Sequence, residues 1–329
     1  MTLTTRKPTG KPPWPILLLA GAEKAGKTYS AAEASGSDLV GRTLWFGVGE
    51  DDPDEYAPLG RFEIVDMDAT YRGLVNALTE ALKEPAEDRP TLWVLDSGSR
   101  LWALLSDMAQ VEANRRWKSR DQNKKKDIPE GGVQVTMDLW NTAKSRWQNI
   151  LDLLREHNGP VIITARLEQT TVVDASGNPT KDKMWKVQAE KGLPFDVGVI
   201  VEMHSRDESY LTGVRSLRFI AKEARTPYPK FTVDDLWRKL GLAEEAGVRV
   251  HAKASGEDSV DANDAHHSKR SALLNDIRDI LAGDNEAIGK VAIQWLSDYD
   301  HPITSTNDLG ALELLRDDLR AKAKEATAA

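Results

Sequence analysis

The stretch 17-LLLAGAEKAGKTYSAAEA-34 joins an apolar run to a glycine-bounded loop and then to small residues that favour a helix. Its centre, residues 21–28, matches the pattern G-x-x-x-x-G-K-[ST] at every fixed position. In this pattern the glycines let backbone N–H groups converge, and the following helix directs its positive end at the same point. The lysine reaches the β- and γ-phosphates of a nucleotide, and the hydroxyl ligates Mg²⁺. The sequence therefore predicts an ATP- and Mg²⁺-binding loop formed by Gly21, Ala22, Glu23, Lys24, Ala25, Gly26, Lys27, Thr28 and Tyr29.

Two carboxylates are candidates to complete such a site. Asp96 ends the apolar run 91-TLWVLD-96 and is predicted to hold Mg²⁺ through water. The next residue is Ser97, where many ring ATPases and helicases carry the glutamate that activates water. Glu50 follows the apolar run 43–48 and is instead predicted to orient the attacking water, with Asp51 and Asp52 as rivals.

Composition limits the class of protein. The chain has 329 residues, a net charge of −8 and no cysteine, which excludes disulfides and thiolate metal sites. No apolar run approaches the roughly 20 residues that span a bilayer, and the Pro-rich start lacks the apolar middle of a signal peptide. We therefore expect a cytoplasmic protein, in the host cell if it is encoded by a phage.

Short apolar runs alternate with helical periodicity through the first 240 residues. This alternation predicts an α/β fold whose mostly parallel sheet is covered on both faces. From residue 197 onward the predicted strands follow one another without helices, which predicts an antiparallel edge. The predicted strands are 15–20, 43–48, 62–66, 91–96, 160–165, 197–203 and 216–222, and the predicted helices of this part are 27–35, 70–84, 99–113 and 137–157.

The chain is predicted to divide into three parts. Residues 1–245 form the nucleotide-binding core, and 246–269 form a linker because most of that segment is polar and aperiodic. Residues 270–329 form a small helical module, with helices at 270–282, 284–298 and 305–325. The module carries no chemical motif, and we expect it to recruit a protein partner or to cap an oligomer.

The phosphate loop, the glutamate after the second strand and the Asp-Ser pair at 96–97 resemble the RecA-like ATPase core. The resemblance covers about residues 14–235. More narrowly, the chain is similar to the short RecA-like ATPases of bacteriophages, which are associated with single-strand annealing and recombination. This resemblance implies a P-loop ATPase that assembles into a homo-oligomeric ring or filament.

The resemblance also implies roles for two further pairs of residues. Thr164 and Arg166, at the end of the strand 160–165, correspond to the sensor of the γ-phosphate, although recombinases of the family often have Asn-Gln there. Lys222 and Arg225 correspond to cations that reach the γ-phosphate of a neighbouring subunit. The helicase pattern spaces these cations by one residue, whereas two residues separate them in this chain.

In the RecA-like plan, the loops after the third and fourth strands carry DNA, and both are basic in this chain. Cations neutralise phosphates, and aromatic rings stack on unpaired bases at about 1–3 kcal/mol each. Single-stranded DNA is therefore predicted to contact segments 115–126 and 167–192. The contacts are assigned to Arg115, Arg116, Trp117, Lys118, Arg120, Lys124, Lys125, Lys126, Lys181, Lys183, Trp185 and Lys186.

The favoured function is a DNA-stimulated ATPase that binds single-stranded DNA for recombination or annealing. A helicase-like translocase uses the same core chemistry and remains an alternative, as do a P-loop kinase and a nucleotide switch without a nucleic-acid partner. The sequence leaves open DNA against RNA, ring against filament, and strand exchange against annealing.

Overall fold

The computed structural model describes residues 3, 5–119, 127–130, 132–174, 177–251, 257–281, 290–291, 294–295, 303, 306 and 309–328. The chain divides into two compact units, Met1–His251 and Ala252–Ala329. The first unit extends six residues beyond the predicted core boundary at 245.

The first unit is built on a nine-stranded sheet. Its strand order is β3-β2-β4-β5-β1-β7-β8-β9, and β6 pairs with β5 outside this path. Strands β1 to β5 and β7 pair in parallel along the centre, whereas β6, β8 and β9 pair antiparallel. The predicted α/β class, with a mostly parallel sheet and an antiparallel edge, is confirmed. The strands are β1 Ile16–Gly21, β2 Thr43–Gly47, β3 Glu63–Ile64, β4 Leu92–Asp96, β5 Val161–Val173, β6 Pro179–Gln188, β7 Val199–Met203, β8 Ser209–Val214 and β9 Thr226–Pro227.

Helices cover both faces of the sheet. The described helices of this unit are α1 Lys27–Ala34, α2 Tyr71–Ala81, α3 Gly98–Ser119, α4 Met137–Glu156, α5 Leu193–Asp196 and α6 Val233–Lys239, with a 3₁₀ helix at Asp54–Leu59. Leu18 and Ala20 of β1 lie in the core with α2, α3 and α4, whereas Leu17 and Leu19 lie in the core with α1 and α6. This alternation follows from the two-residue period of a strand, and it leaves β1 buried throughout.

The second unit contains α7 Glu257–Leu281 and α8 Leu309–Ala328. Leu273 and Ile277 of α7 share an apolar cluster with Leu312, Leu315 and Leu319 of α8. The helices predicted at 270–282 and 305–325 are present, and most of 284–298 lies outside the described residues. Among the described residues, no helix is both long and apolar enough to cross a membrane.

Two predicted segments differ from the structure. Residues 216–222 do not form a strand, because Ser216 Oγ accepts hydrogen bonds from the backbone N–H groups of Arg218 (3.0 Å) and Phe219 (3.2 Å). Such a local turn competes with strand pairing. The predicted linker 246–269 is helical from Glu257 onward. The stretch 257–269 contains no glycine or proline that would stop a helix, although it lacks apolar periodicity.

The segment after α6 is bound to the amino-terminal side of the sheet through Arg249. Its guanidinium donates hydrogen bonds to four backbone carbonyls, those of Leu154, His157 and Gly159 at 2.9 Å each and that of Trp14. Its backbone N–H donates to Asn158 Oδ1 at 2.9 Å. Because these groups belong to the chain around β1 and β5, residues up to His251 are part of the first unit.

His157 closes α4 in a site that disfavours its charged form. The imidazole stacks on Trp93 with ring centroids 4.0 Å apart and an interplanar angle of 2°. Its Nε2 lies 2.8 Å from the carbonyl oxygen of Thr91, so the neutral ring donates its one N–H there. Burial lowers the pKa of His157 to about 4, and the hydrogen bond to Thr91 opposes this shift only in part.

Acidification should destabilise this unit through His157. Between pH 6.5 and about 4, His157 binds a proton in the unfolded chain but not in the folded chain. The free energy of unfolding therefore decreases as the pH is lowered through this range. The largest decrease in the free energy of unfolding is about 3 kcal/mol, because each unit of difference between the folded and unfolded pKa of His157 is worth about 1.4 kcal/mol. Urea denaturation across this range should show a shallower pH slope for His157→Gln than for the wild type. Equal slopes would show that His157 does not contribute.

Candidate functional site

The ends of β1, β2, β4 and β7 meet Arg166, within β5, at one edge of the sheet. Gly21 at the end of β1 is in register with Arg166 of β5 and with Met203 of β7. Gly47 at the end of β2 is in register with Asp96 at the end of β4. Because parallel strands place their carboxyl ends at the same edge, the predicted phosphate loop and its acidic partners share one crevice.

The phosphate loop has the backbone geometry that its glycines permit. Gly26 caps α1 with a positive φ of 97° and provides no side chain to bond the first turn of the helix. Lys24 also has a positive φ, of 54°. The amino end of α1 therefore presents backbone N–H groups and a positive dipole to the crevice, which is the arrangement that binds an anion.

Lys27 extends from the first turn of α1 back over the loop. Its Nζ donates hydrogen bonds to the carbonyl oxygens of Gly21 and Ala22, each at 3.0 Å. Burial lowers the pKa of Lys27, while the charges of Asp96 and Glu50 oppose that shift. The ammonium thus lies in the electrostatic field of both predicted carboxylates.

Asp96 is buried at the end of β4, with 5% of its surface exposed. Thr164 of β5 donates a hydrogen bond from its Oγ1 to Asp96 Oδ1. Burial raises the pKa of Asp96 and Glu50 adds to the shift, whereas the Thr164 hydrogen bond and Lys27 oppose it. A cation placed beside this carboxylate would relieve the cost of its burial.

The residues present fit Mg²⁺ bound together with a nucleotide. Among the described residues, no group of three or more His, Cys, Asp or Glu side chains forms a metal site by itself. Mg²⁺ is commonly held by one or two carboxylates, water and substrate phosphates. Asp96 and the Thr28 hydroxyl supply oxygen ligands of this kind, with Thr28 following Lys27 in α1.

Glu50 contacts two side chains from neighbouring strand ends. Ser97 Oγ donates a hydrogen bond to Glu50 Oε1 at 2.8 Å. Arg166 donates to both carboxylate oxygens of Glu50, each at 3.0 Å. The predicted rivals Asp51 and Asp52 are exposed to solvent, whereas Glu50 is half-buried. The geometry thus brings Glu50 into the crevice, although its predicted role in orienting water stays a prediction.

Three residues that sequence reasoning missed support this arrangement. Ser97 accepts a hydrogen bond from the backbone N–H of Arg100 at 3.2 Å, and Arg100 Nε donates to the carbonyl of Gly49 at 2.8 Å. Ser99 Oγ accepts from the backbone N–H of Arg166 at 2.8 Å. Ser97 has one signal in the sequence, its place directly after Asp96 where many ring ATPases and helicases carry a glutamate, and no sequence pattern marks Ser99 or Arg100.

Arg225, predicted to act on a neighbouring subunit, is bound within its own chain. Its Nε lies 3.1 Å from Glu202 Oε2, and the same oxygen lies 3.1 Å from His204 Nε2. Glu202 belongs to β7 and is in register with Ala20 of β1. Lys222 is exposed in the segment that precedes β9. The contact with Glu202 places Arg225 close to the strand end that adjoins the phosphate loop.

The first basic segment is partly neutralised. Residues 115–118, which are three cations and one tryptophan, lie at the end of α3, and this helix continues to Ser119 rather than ending near 113. Arg115 donates to Glu112 at 2.7 and 2.8 Å, and Arg116 donates to Glu112 at 3.1 Å and to Asp138 at 2.6 Å. Lys118 is exposed and Trp117 is half-buried. Arg120, Lys124, Lys125 and Lys126 lie outside the described residues.

The second basic segment is a hairpin formed by β5 and β6. Lys181, Lys183 and Lys186 are exposed on β6. Trp185 is half-buried, and one face of its ring stacks on His204 with centroids 4.3 Å apart and an interplanar angle of 25°. That face is therefore covered, and the hairpin contacts the end of β7 through this pair.

No protein-family model and no curated protein sequence matches this chain. Among solved structures, the chain is similar to the crystal structure of the RadB recombinase, with 16% sequence identity and a TM-score of 0.34. That similarity covers 63% of this chain and 84% of the other.

Replacing Gly21 by alanine should weaken nucleotide binding. The added Cβ would lie 2.8 Å from Lys27 Cγ and 3.1 Å from its Cδ, so it would displace the ammonium. We expect the Kd for a fluorescent ATP analogue to rise at least about tenfold, which corresponds to about 1.4 kcal/mol. Gly47→Ala is the matched control, since a Cβ there meets no atom within 4 Å. Unchanged affinity in Gly21→Ala would contradict the assignment of this loop.

Proposed function

We propose that this chain is a RecA-like ATPase that binds single-stranded DNA and hydrolyses ATP in recombination or annealing, of the kind found in bacteriophages. The observation that carries the proposal is the convergence of Lys27, Asp96 and Glu50 on the open amino end of α1. Thr164 and Arg166 join the same crevice through Asp96 and Glu50.

In the proposed reaction, Lys27 and the backbone N–H groups of the loop bind the β- and γ-phosphates. Thr28 and Asp96 would hold Mg²⁺, which would neutralise charge on the phosphates. Glu50 orients a water molecule whose oxygen forms a bond to the γ-phosphorus as the bond to the β-phosphate oxygen breaks. Arg166 and Thr164 respond to the γ-phosphate. Lys222 and Arg225 complete the site of a neighbouring subunit in a ring or filament.

The hairpin is the proposed DNA contact that the described residues support best. Strand β5 carries Thr164 and Arg166 at the crevice and then continues as the first arm of the hairpin to Val173. Two of the three exposed lysines of β6 are in register with that arm, Lys183 with Thr171 and Lys186 with Glu168. A phosphate chain on these lysines and a nucleotide in the crevice would therefore act on opposite ends of one strand. Such a shared element lets each ligand change the affinity for the other.

Turnover of ATP with and without single-stranded DNA tests the proposal. We expect DNA to stimulate hydrolysis, and the stimulation to fall steeply with salt because bound cations release counterions from the phosphates. Lys27→Ala should abolish turnover. The proposal would be contradicted by turnover near the wild-type rate in Lys27→Ala. It would also be contradicted if DNA had no effect at any salt concentration, and that result would favour a kinase or a nucleotide switch. Strand displacement on a forked duplex would favour a translocase.

Removing the hairpin lysines should separate DNA stimulation from basal hydrolysis. The variant with Lys181, Lys183 and Lys186 all changed to alanine should keep basal turnover and lose most of the stimulation by DNA. A matched control removes the same charge from exposed lysines in other parts of the chain, Lys7, Lys83 and Lys144. Equal stimulation in both triple variants would exclude the hairpin as the DNA contact.

A further inference from the structure

Glu50 receives hydrogen bonds from two side chains that differ in burial. Ser97 has 1% of its surface exposed and bonds one carboxylate oxygen, Oε1. The Arg166 side chain is 46% exposed and bonds both oxygens, Oε1 and Oε2. We propose that Ser97 is the positioning residue of Glu50, and that Arg166 holds Glu50 inactive until a γ-phosphate draws the guanidinium away. The proposal rests on the ATPase function proposed above.

The hydrogen bonds of Ser97 fix the direction of its hydroxyl proton. Its oxygen accepts the backbone N–H of Arg100 at 3.2 Å, and its single proton points to Glu50 Oε1 at 2.8 Å. Ser97 also follows Asp96 directly in the chain, so its position is set by the same strand end as the predicted Mg²⁺ ligand. This hydrogen bond therefore fixes the carboxylate of Glu50, which follows β2, relative to that of Asp96 at the end of β4. Glu50 and Ser97 are 47 residues apart in the sequence.

Arg166 lies against the oxygen that the reaction requires. Oε1 accepts hydrogen bonds from both Ser97 and Arg166, so Oε2 is the oxygen with a position left to accept a proton from water, and Arg166 bonds Oε2 from one side. A terminal phosphate carries more negative charge than a carboxylate and binds guanidinium through two parallel hydrogen bonds. If the guanidinium of Arg166 moved to the phosphate, Glu50 Oε1 would keep its hydrogen bond from Ser97 and Glu50 Oε2 would lose its hydrogen bond from Arg166. Water oxygen then bonds to phosphorus, the bond to the leaving diphosphate breaks, and the water proton passes to Oε2.

Substitution of Ser97 in the full chain tests the positioning role. We expect Ser97→Ala to lower kcat about tenfold or more while KM and the Kd for ATP stay unchanged, because its contact acts on the reacting water and not on binding. Ser97→Thr keeps a hydroxyl and should restore much of kcat. Ser106→Ala is the matched control, since it removes a hydroxyl from α3 that donates to the carbonyl of Trp102, at 2.9 Å, one turn back in the same helix.

A double variant shows whether Ser97 acts through Glu50. Glu50→Gln should lose turnover, and adding Ser97→Ala to it should cost nothing further, because residues that act as a unit are not additive. Additive losses would overturn the positioning role, as would wild-type kcat in Ser97→Ala. Absence of ATP turnover in the wild-type chain would overturn this role and the proposed function together, so the two failures are distinguishable.

The role of Arg166 has a separate readout in nucleotide binding. Arg166→Ala should weaken the binding of ATP but leave the binding of ADP unchanged, because only ATP brings the phosphate to which the guanidinium transfers. An equal effect on ATP and ADP would overturn the proposed release of Glu50. Both affinities can be measured by titration with fluorescent analogues of the two nucleotides.

Discussion

The ammonium of Lys27 is the group around which the carboxyl edge of the sheet is arranged. It is partly buried, and burial of a cation is costly unless oxygen atoms surround it. Two carbonyls of its own loop lie within hydrogen-bonding distance, and the charges of Asp96 and Glu50 act on it from the ends of two other strands. The parallel pairing of the strands thus brings oxygens from the phosphate loop and from the ends of β2 and β4 to the surroundings of one nitrogen.

Features that depend on neighbouring residues could be predicted from the sequence. The loop 21–28 and the fully buried β1 have local signatures, since glycine spacing and a run of apolar residues need no knowledge of the rest of the chain. The contacts of Ser97 with Glu50 and of Thr164 with Asp96 span 47 and 68 residues. These contacts depend on the order in which the strands pair, and local patterns in a single sequence do not reveal that order.

The basic segments show why charge runs are hard to interpret from sequence. Arg115 and Arg116 lie in a helical turn with Glu112, so their charges already have partners three and four residues away. Trp185 was expected to stack on bases, but one face of its ring covers His204. In contrast, the lysines of β6 lie on a hairpin arm that no other described strand covers. The distinction depends on which carboxylates and rings the fold brings near each cation.

Arg249 determines where the chain can be divided without removing contacts of the first unit. It binds four carbonyls around the start of β1 and the end of α4, although it stands beyond the last helix of the first unit. A fusion or a deletion made at residue 245 would leave those carbonyls without their donor. Replacement of the carboxy-terminal helices by those of another protein is therefore compatible with an intact first unit only when the junction lies after His251.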